Sequence, residues 1–338
     1  MHLGKSYKVS EFIVWTRRHI YLLIGVGVVP VVLFQVLGLR WLSMPLTVVG
    51  LLGTATSFIV GFKNVQTYNR SVEAQHLWAA IVGTSRFWGT SVHNFAENAA
   101  DARELVGRHL AWLACLRYEL RTPRPWETPQ KAAHAEYRQE RFSVSEHEVP
   151  LERELQRHLG PDEHRLVMGA QNRPIEILWL QGRALKRLLD AQRLSPTYYI
   201  ELNKLLKESI EQLGRAERLK NFPYPRQYAI INTIFVWAFC ALLPFGLLQE
   251  FDKLNQGVGG FMQGHMVWLV VPFSATISWM YTALEQVGES TENPFEGSAN
   301  DVPITHLSRM AERELLQLIG EPALPAPSHS HSRGDILL

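Results

Sequence analysis

Three residues on one apolar segment carry the most informative spacing in this sequence. Thr54, Phe58 and Phe62 recur at i, i+4 and i+8, so on a helix they form one stripe down a single face. Copies of such a stripe around a symmetry axis make a narrow apolar neck, and an apolar constriction gates ions by dewetting. Ordinary packing or lipid contact gives the same stripe on a single helix, and periodicity does not choose between these. Groupings that would do covalent or acid–base chemistry are missing from the sequence: there is no P-loop, G-x-S-x-G, H-E-x-x-H or C-x-x-C. Asp162-Glu163-His164 follows Pro161 at a helix start, where acids answer the helix macrodipole. The thirteen histidines are scattered, and His329 with His331 in the tail gives only a weak metal-binding hint. No catalytic residue, metal site or enzyme activity is therefore expected.

The element that must hold the stripe is long. Residues 46–62 are apolar but sprinkled with Gly, Thr and Ser (Gly50, Gly53, Thr54, Thr56, Ser57, Gly61), and residues 63–88 continue without Pro in an amphipathic pattern. A helix rising about 1.5 Å per residue crosses a bilayer in the first part and projects beyond it in the second. Its small and hydroxylated residues suit packing against neighbours or lining a pore better than facing lipid.

Three more segments share that apolar character: 20–39, 229–248 and 265–284, with Pro30, Pro244 and Pro272 inside them. Each approximates the length of a membrane span. The run at 20–39 is too long for a typical signal-peptide core, so it reads as a first span. Basic residues flank the spans at Lys5, Lys8, Arg17, Arg18, Lys63, Arg70, Lys220 and Arg226, whereas each hairpin loop has one, Arg40 or Lys253. That asymmetry puts both termini and the central domain in the cytoplasm.

The bulk composition agrees with this division. Mean hydropathy is near zero, because strongly apolar ends offset a charged middle at about residues 100–222. A net charge of +2 gives no reason to expect nucleic acid. Cys115 and Cys240 fall in segments of different character, so no disulfide is expected.

The expected order is a cytoplasmic N-terminal segment (1–19), two spans (20–62), a helical cytoplasmic domain (63–222), a hinge with two spans (223–284), a connector with a last helix (285–320) and a disordered tail (321–338). Asn172-Arg173-Pro174 and Ser195-Pro196 read as helix starts, a polar cap followed by Pro in the first turn. Phe222-Pro223-Tyr224-Pro225 is the hinge before the third span. Thr305 is expected to cap the last helix, ending before Gly320.

Three stretches, in order, resemble the bestrophin family in its bacterial branch. GFKNVQTYNRSVEAQHLWAAIVGTSR (61–86) is similar to the family's pattern at the end of the second span. GRAERLKNFPYPRQY (214–228), followed by ALLPFGL, is similar to its hinge before the third, and ENPFEGSANDVP (292–303) to its connector after the fourth. The resemblance implies an all-α membrane protein with four transmembrane helices and a helical cytoplasmic domain, a homopentamer in the lipid bilayer that passes inorganic ions through a central pore. Eukaryotic members are calcium-activated anion (chloride) channels; bacterial relatives need not share that selectivity, so cation conduction stays open. By position, the resemblance places the hydrophobic neck at Thr54, Phe58 and Phe62. It places a cytoplasmic aperture at Tyr224, with Phe222 as second choice. Arg70, Glu73 and Arg86 follow the neck, either binding ions or pairing within and between helices.

The chain departs from the family pattern at Asn69, Ser71, Val72, Gln75, His76 and Ala216. Thr54 stands where an aliphatic residue is usual, which predicts a wetter ring. Ser298 and Ala299 stand where acids hold calcium, leaving Glu296 and Asp301. Six to eight oxygens are needed, so no calcium activation and no cofactor are expected. The alternative function is a non-conducting membrane scaffold or sensor whose cytoplasmic helices bind a partner.

Overall fold

The computed structural model describes residues 8–127, 135–136, 143–257, 259–322 and 336–338. Its long elements are α1 (Val9–Gln35), α2 (Leu46–Phe95), α3 (Ala99–Arg121), α7 (Arg173–Asp190), α8 (Pro196–Asn221), α9 (Arg226–Lys253), α10 (Val270–Ser290) and α11 (Ile304–Leu318). Shorter helices are α4 (Ser145–Glu148), α5 (Leu151–Leu155) and α6 (Pro161–Gly169). Among the described residues there is no strand. Four helical stretches, Val9–Gln35, Arg40–Phe95, Pro196–Gln256 and Met266–Ser290, are long and apolar enough to cross a membrane. The described residues divide into two compact units, one drawn from 8–69 with 224–292 and the other from 70–223 with 293–338. Helix α2 contributes residues 46–69 to the first and 70–95 to the second.

In the first unit α1, α9 and α10 pack on one another. Leu23, Val60, Val236 and Cys240 form one buried cluster; Val31, Phe34, Leu248, Val267 and Val270 form another. Close approach is built from small residues. A methyl on Gly27 would come within 2.9 Å of Ser274 Oγ, and one on Gly53 within 2.7 Å of the Phe239 ring. Pro30 and Pro244 sit inside helices. Pro272 does not interrupt its span: it lies in the first turn of α10, where a missing N–H costs no hydrogen bond. The preceding stretch, Met266–Leu269, is a 3₁₀ turn.

The second unit is organised on α3, which is buried on most of its circumference and packs against α4, α5, α7, α8 and α11. Trp78, Trp88, Trp112, Leu105, Leu116 and Phe295 are among its largest buried side chains. Both Pro-marked starts form as read: Asn172 Oδ1 accepts from the Ile175 N–H at 3.1 Å, and Ser195 Oγ from the Tyr198 N–H at 3.3 Å. The expected cap at Thr305 does not. Pro303 holds the N-cap position, Thr305 lies inside α11, and its hydroxyl donates to Glu146 Oε1 at 2.7 Å. Most of the expected tail, with His329 and His331, lies outside the described residues. At its end Ile336 and Leu338 pack with Ala299, and the His306 N–H donates to the Leu338 carbonyl at 2.7 Å.

Two features of α3 have measurable consequences. Gly107 approaches the backbone of the loop after α5 so closely that a Cβ would lie 2.9 Å from the His158 carbonyl oxygen. Gly107→Ala should therefore cost about 1–3 kcal/mol, seen as a lower Tm in detergent. Two residues further along that helix is His109, stacked on Trp88 and tilted against Trp112. Ser85 donates to the Ile81 carbonyl at 2.7 Å, so its oxygen accepts from His109 Nε2–H at 2.9 Å. Burial pushes this histidine down to about 3 from an ordinary value of 6.5. The unfolded chain takes up the proton first, so this contribution to stability is complete above pH 6.5 and is lost as pH falls towards 3. The slope is about 1.4 kcal/mol per pH unit. His109→Phe should flatten the fall in unfolding free energy between pH 6 and pH 4 by about that slope, measured by denaturant titration at each pH.

Candidate ion pathway

The first part of α2 has two distinct faces. Val49, Gly53, Thr56, Val60, Lys63 and Thr67 are buried, spaced three and four apart as one helical stripe should be. Opposite them Leu51, Phe58, Phe62 and Val65 are exposed; Phe58 is 76% and Phe62 57% accessible in the single chain. Thr54 is exposed too. The structure therefore brings Thr54, Phe58 and Phe62 onto the same face, and among the described residues that face is left exposed.

The small and hydroxylated residues of this span divide into two groups. Gly53 receives the Phe239 ring, and Ser57 Oγ meets the Tyr281 hydroxyl at 2.6 Å, while that hydroxyl lies 3.1 Å from the Gly53 carbonyl. Thr56 is buried and donates to the Leu52 carbonyl at 2.8 Å. These residues serve packing within the chain. Gly50 and Gly61 instead face open space. Thr54 donates its hydroxyl proton to the Gly50 carbonyl at 3.0 Å, so what it has left to offer water is an acceptor.

At the hinge the two aromatic candidates part company. Tyr224 is only 6% exposed, with its ring 6.3 Å from that of Tyr228. Burial, followed by the nearby Glu292 and Tyr228, raises its pKa. Phe222 is 69% exposed.

The charged residues after the neck all have partners. Arg70 Nη2 donates to the Leu219 carbonyl at 2.9 Å, the last-turn carbonyl of α8. Glu73 accepts from Arg218. Arg86 grips Glu314 with both Nε and Nη2, at 2.7 and 2.9 Å. Pairing between helices accounts for all three.

The connector after the fourth span is tied by its own acids. Asp301 Oδ2 accepts from the Gly297 N–H at 2.7 Å and from Arg121 Nη1 at 3.2 Å; its Oδ1 accepts from Ser298 Oγ at 2.5 Å. Gly297 has φ +89°, a conformation that favours glycine. Asn293 Nδ2 donates to Glu296 Oε2 at 3.2 Å.

One polar site was missed by the sequence reading. Glu285, at the end of the fourth apolar segment, is buried and accepts from Thr233 Oγ1 at 2.5 Å and Asn232 Nδ2 at 3.2 Å. A buried acid at a span is a functional candidate by default. The signal lay in the polar pair Asn232-Thr233 inside an otherwise apolar segment.

The comparisons with known proteins point one way. A family model described as Bacterial/Fungal Bestrophin protein matches residues 12–317. The Escherichia coli K12 voltage-dependent anion channel-forming protein YneE is 28% identical over 291 residues, covering 86% of this chain and 81% of that protein. Its Salmonella typhimurium counterpart is 27% identical, covering 87% and 82%. The voltage-dependent anion channel-forming protein RSc3414 of Ralstonia nicotianae is 25% identical, covering 83% and 80%. Among solved structures, a bacterial Bestrophin homolog from Klebsiella pneumoniae is similar with a TM-score of 0.75, over 90% of this chain and 99% of that one, at 23% identity.

Proposed function

We propose that this chain, which belongs to the bacterial and fungal bestrophin family, is a passive anion channel assembled from five copies around a central pore. The observation that carries the reading is the free apolar face of α2. Its back is packed by α9 and α10 through Gly53, Ser57 and Val60, so Phe58 and Phe62 point away from their own chain. Five such faces around an axis make two stacked phenyl rings with Thr54 beside them, a neck narrow and apolar enough to control hydration. The names of the curated relatives support anions, with chloride the abundant candidate. The exposure of Phe222 supports it, rather than Tyr224, as the second constriction. The protein sits in the inner membrane with both termini and the helical unit in the cytoplasm, supported by the basic residues flanking the spans. No enzymatic step and no calcium enter this reading: Asp301 is already engaged by Arg121, Gly297 and Ser298.

The test is the reversal potential of purified protein in a planar bilayer across a KCl gradient. A shift towards the chloride equilibrium potential is expected. A shift towards the potassium potential would overturn the anion assignment, and the absence of any current would favour the scaffold reading.

A further inference from the structure

The exposed side of α2 does not end at the two phenyl rings. On the packed side Thr67, Ser71, Ala74, Trp78, Ile81 and Ser85 continue the buried stripe at spacings of three and four. On the other side Val65, Asn69, His76, Ala80 and Phe87 stay exposed. His76 has a particular place in this series. Five full turns of 3.6 residues separate it from Phe58, so the two side chains leave the helix in the same direction, about 27 Å apart along its axis.

His76 is also the ionisable group on this side whose charge nothing answers. Among the described residues it forms no hydrogen bond or ion pair. The other charged side chains of this half of α2 are engaged: Arg70 by the Leu219 carbonyl at 2.9 Å, Glu73 by Arg218, and Arg86 by Glu314 of α11 at 2.7 Å. Helix α8 runs antiparallel to α2, with Arg218 on Glu73 and Gln212 donating to Thr84 at 2.7 Å. At the level of His76 it therefore presents Arg215, which is exposed and has no ion pair among the described residues. The connector packs on the back of α2, with the Phe295 ring 6.3 Å from that of Trp78, and its acids Glu296 and Asp301 are buried.

We propose, resting on the channel reading of α2, that His76 sets the charge of the pathway beyond the neck. One imidazole from each copy forms a ring that is neutral in alkali and cationic in acid, and its protonation raises anion-over-cation selectivity. Imidazole is the side chain whose ordinary titration falls between about pH 5 and 8, and rings of positive side chains are how pores favour anions. Each proton taken up adds a positive charge on a face where Glu73 is already neutralised by Arg218, so acid draws chloride in and repels potassium. The effect is Coulombic and should fade as the Debye length falls from about 10 Å in 0.1 M salt to about 3 Å in 1 M.

Currents of the purified full-length protein are recorded in planar bilayers across a KCl gradient, at about pH 8 and about pH 5. Acidification should move the reversal potential of the parent towards the chloride equilibrium potential and raise chloride current several-fold. His76→Gln should lose both changes, and His76→Lys should behave in alkali as the parent does in acid. The sign of the charge is checked with His76→Cys. Both native cysteines are buried, so a water-soluble thiosulfonate reagent carrying a trimethylammonium group should label the new thiol and raise chloride current. A reagent carrying a sulfonate should lower it. A His76→Gln variant that keeps the parent's response to pH, or a His76→Cys variant with the same current after both reagents, would overturn the proposal. If His76→Gln fails to fold, His76→Lys and His76→Cys decide. Current that ignores His76 removes the ring alone. No current from the parent or from the Phe58→Ala, Phe62→Ala double variant overturns the channel reading, and the ring with it.

Discussion

Replacing Phe58 and Phe62 together with Ala should raise single-channel current several-fold and leave the melting temperature nearly unchanged. Both rings stand on the exposed face of α2, so within the chain their removal opens no cavity, and exposed substitutions usually cost within about 0.5 kcal/mol. In the pore reading the same rings line the narrowest apolar section, where the penalty for keeping water next to an ion is largest. Truncation widens that section and lowers the penalty for each of the five copies. Phe58→Ala alone should give part of the effect, and Phe58→Trp should reduce current. Unchanged conductance in the double variant would mean that this face meets lipid and that ions pass elsewhere.

Glu154→Ala should be among the most damaging single changes outside the spans, costing about 3–5 kcal/mol. The carboxylate is 2% exposed and lies between three guanidiniums: Arg309 at 2.7 Å, Arg157 at 3.6 Å and Arg117 at 3.8 Å. Arg117 is as deeply buried and keeps Glu146 Oε1 at 2.9 Å, so removing Glu154 leaves this buried cluster one negative charge short and takes from Arg309 its 2.7 Å partner. Glu154→Gln keeps an acceptor for Arg309 and should cost less. The Arg86–Glu314 pair is a control. It has good bidentate geometry, but both side chains are nearly half-exposed, and solvent screening limits it to about 0–1 kcal/mol. Chemical denaturation of Glu154→Ala and Arg86→Ala in parallel separates the two cases; similar losses would refute the argument from burial.

How far the sequence can be read follows from the range of each interaction. The starts at Asn172 and Ser195 were legible because a cap is a contact between residues three apart. Pro272 was visible, but its position in the first turn of α10 depended on the 3₁₀ stretch before it. Thr305 looked like a cap because it precedes an amphipathic run, yet its hydroxyl serves Glu146, 159 positions away. Tyr224 and Phe222 are equivalent to a local reading, both next to Pro223; only their burial separates them. Glu285 escaped notice because its partners Asn232 and Thr233 lie on another helix.

By itself the sequence determined the four apolar helices, the helical character of the charged middle and the register that puts Thr54, Phe58 and Phe62 on one face. Those depend on hydropathy and on a repeat of about 3.6 residues, both properties of contiguous residues. The tertiary structure alone decided which side of α2 is free, that Gly53 and Ser57 serve packing while Gly50 and Gly61 face open space, and which buried charges meet. Arg121 and Asp301 are 180 positions apart, and Arg309 and Glu154 are 155 apart. Whether such a charge is paired or orphaned depends on how distant helices pack, and no local pattern encodes that.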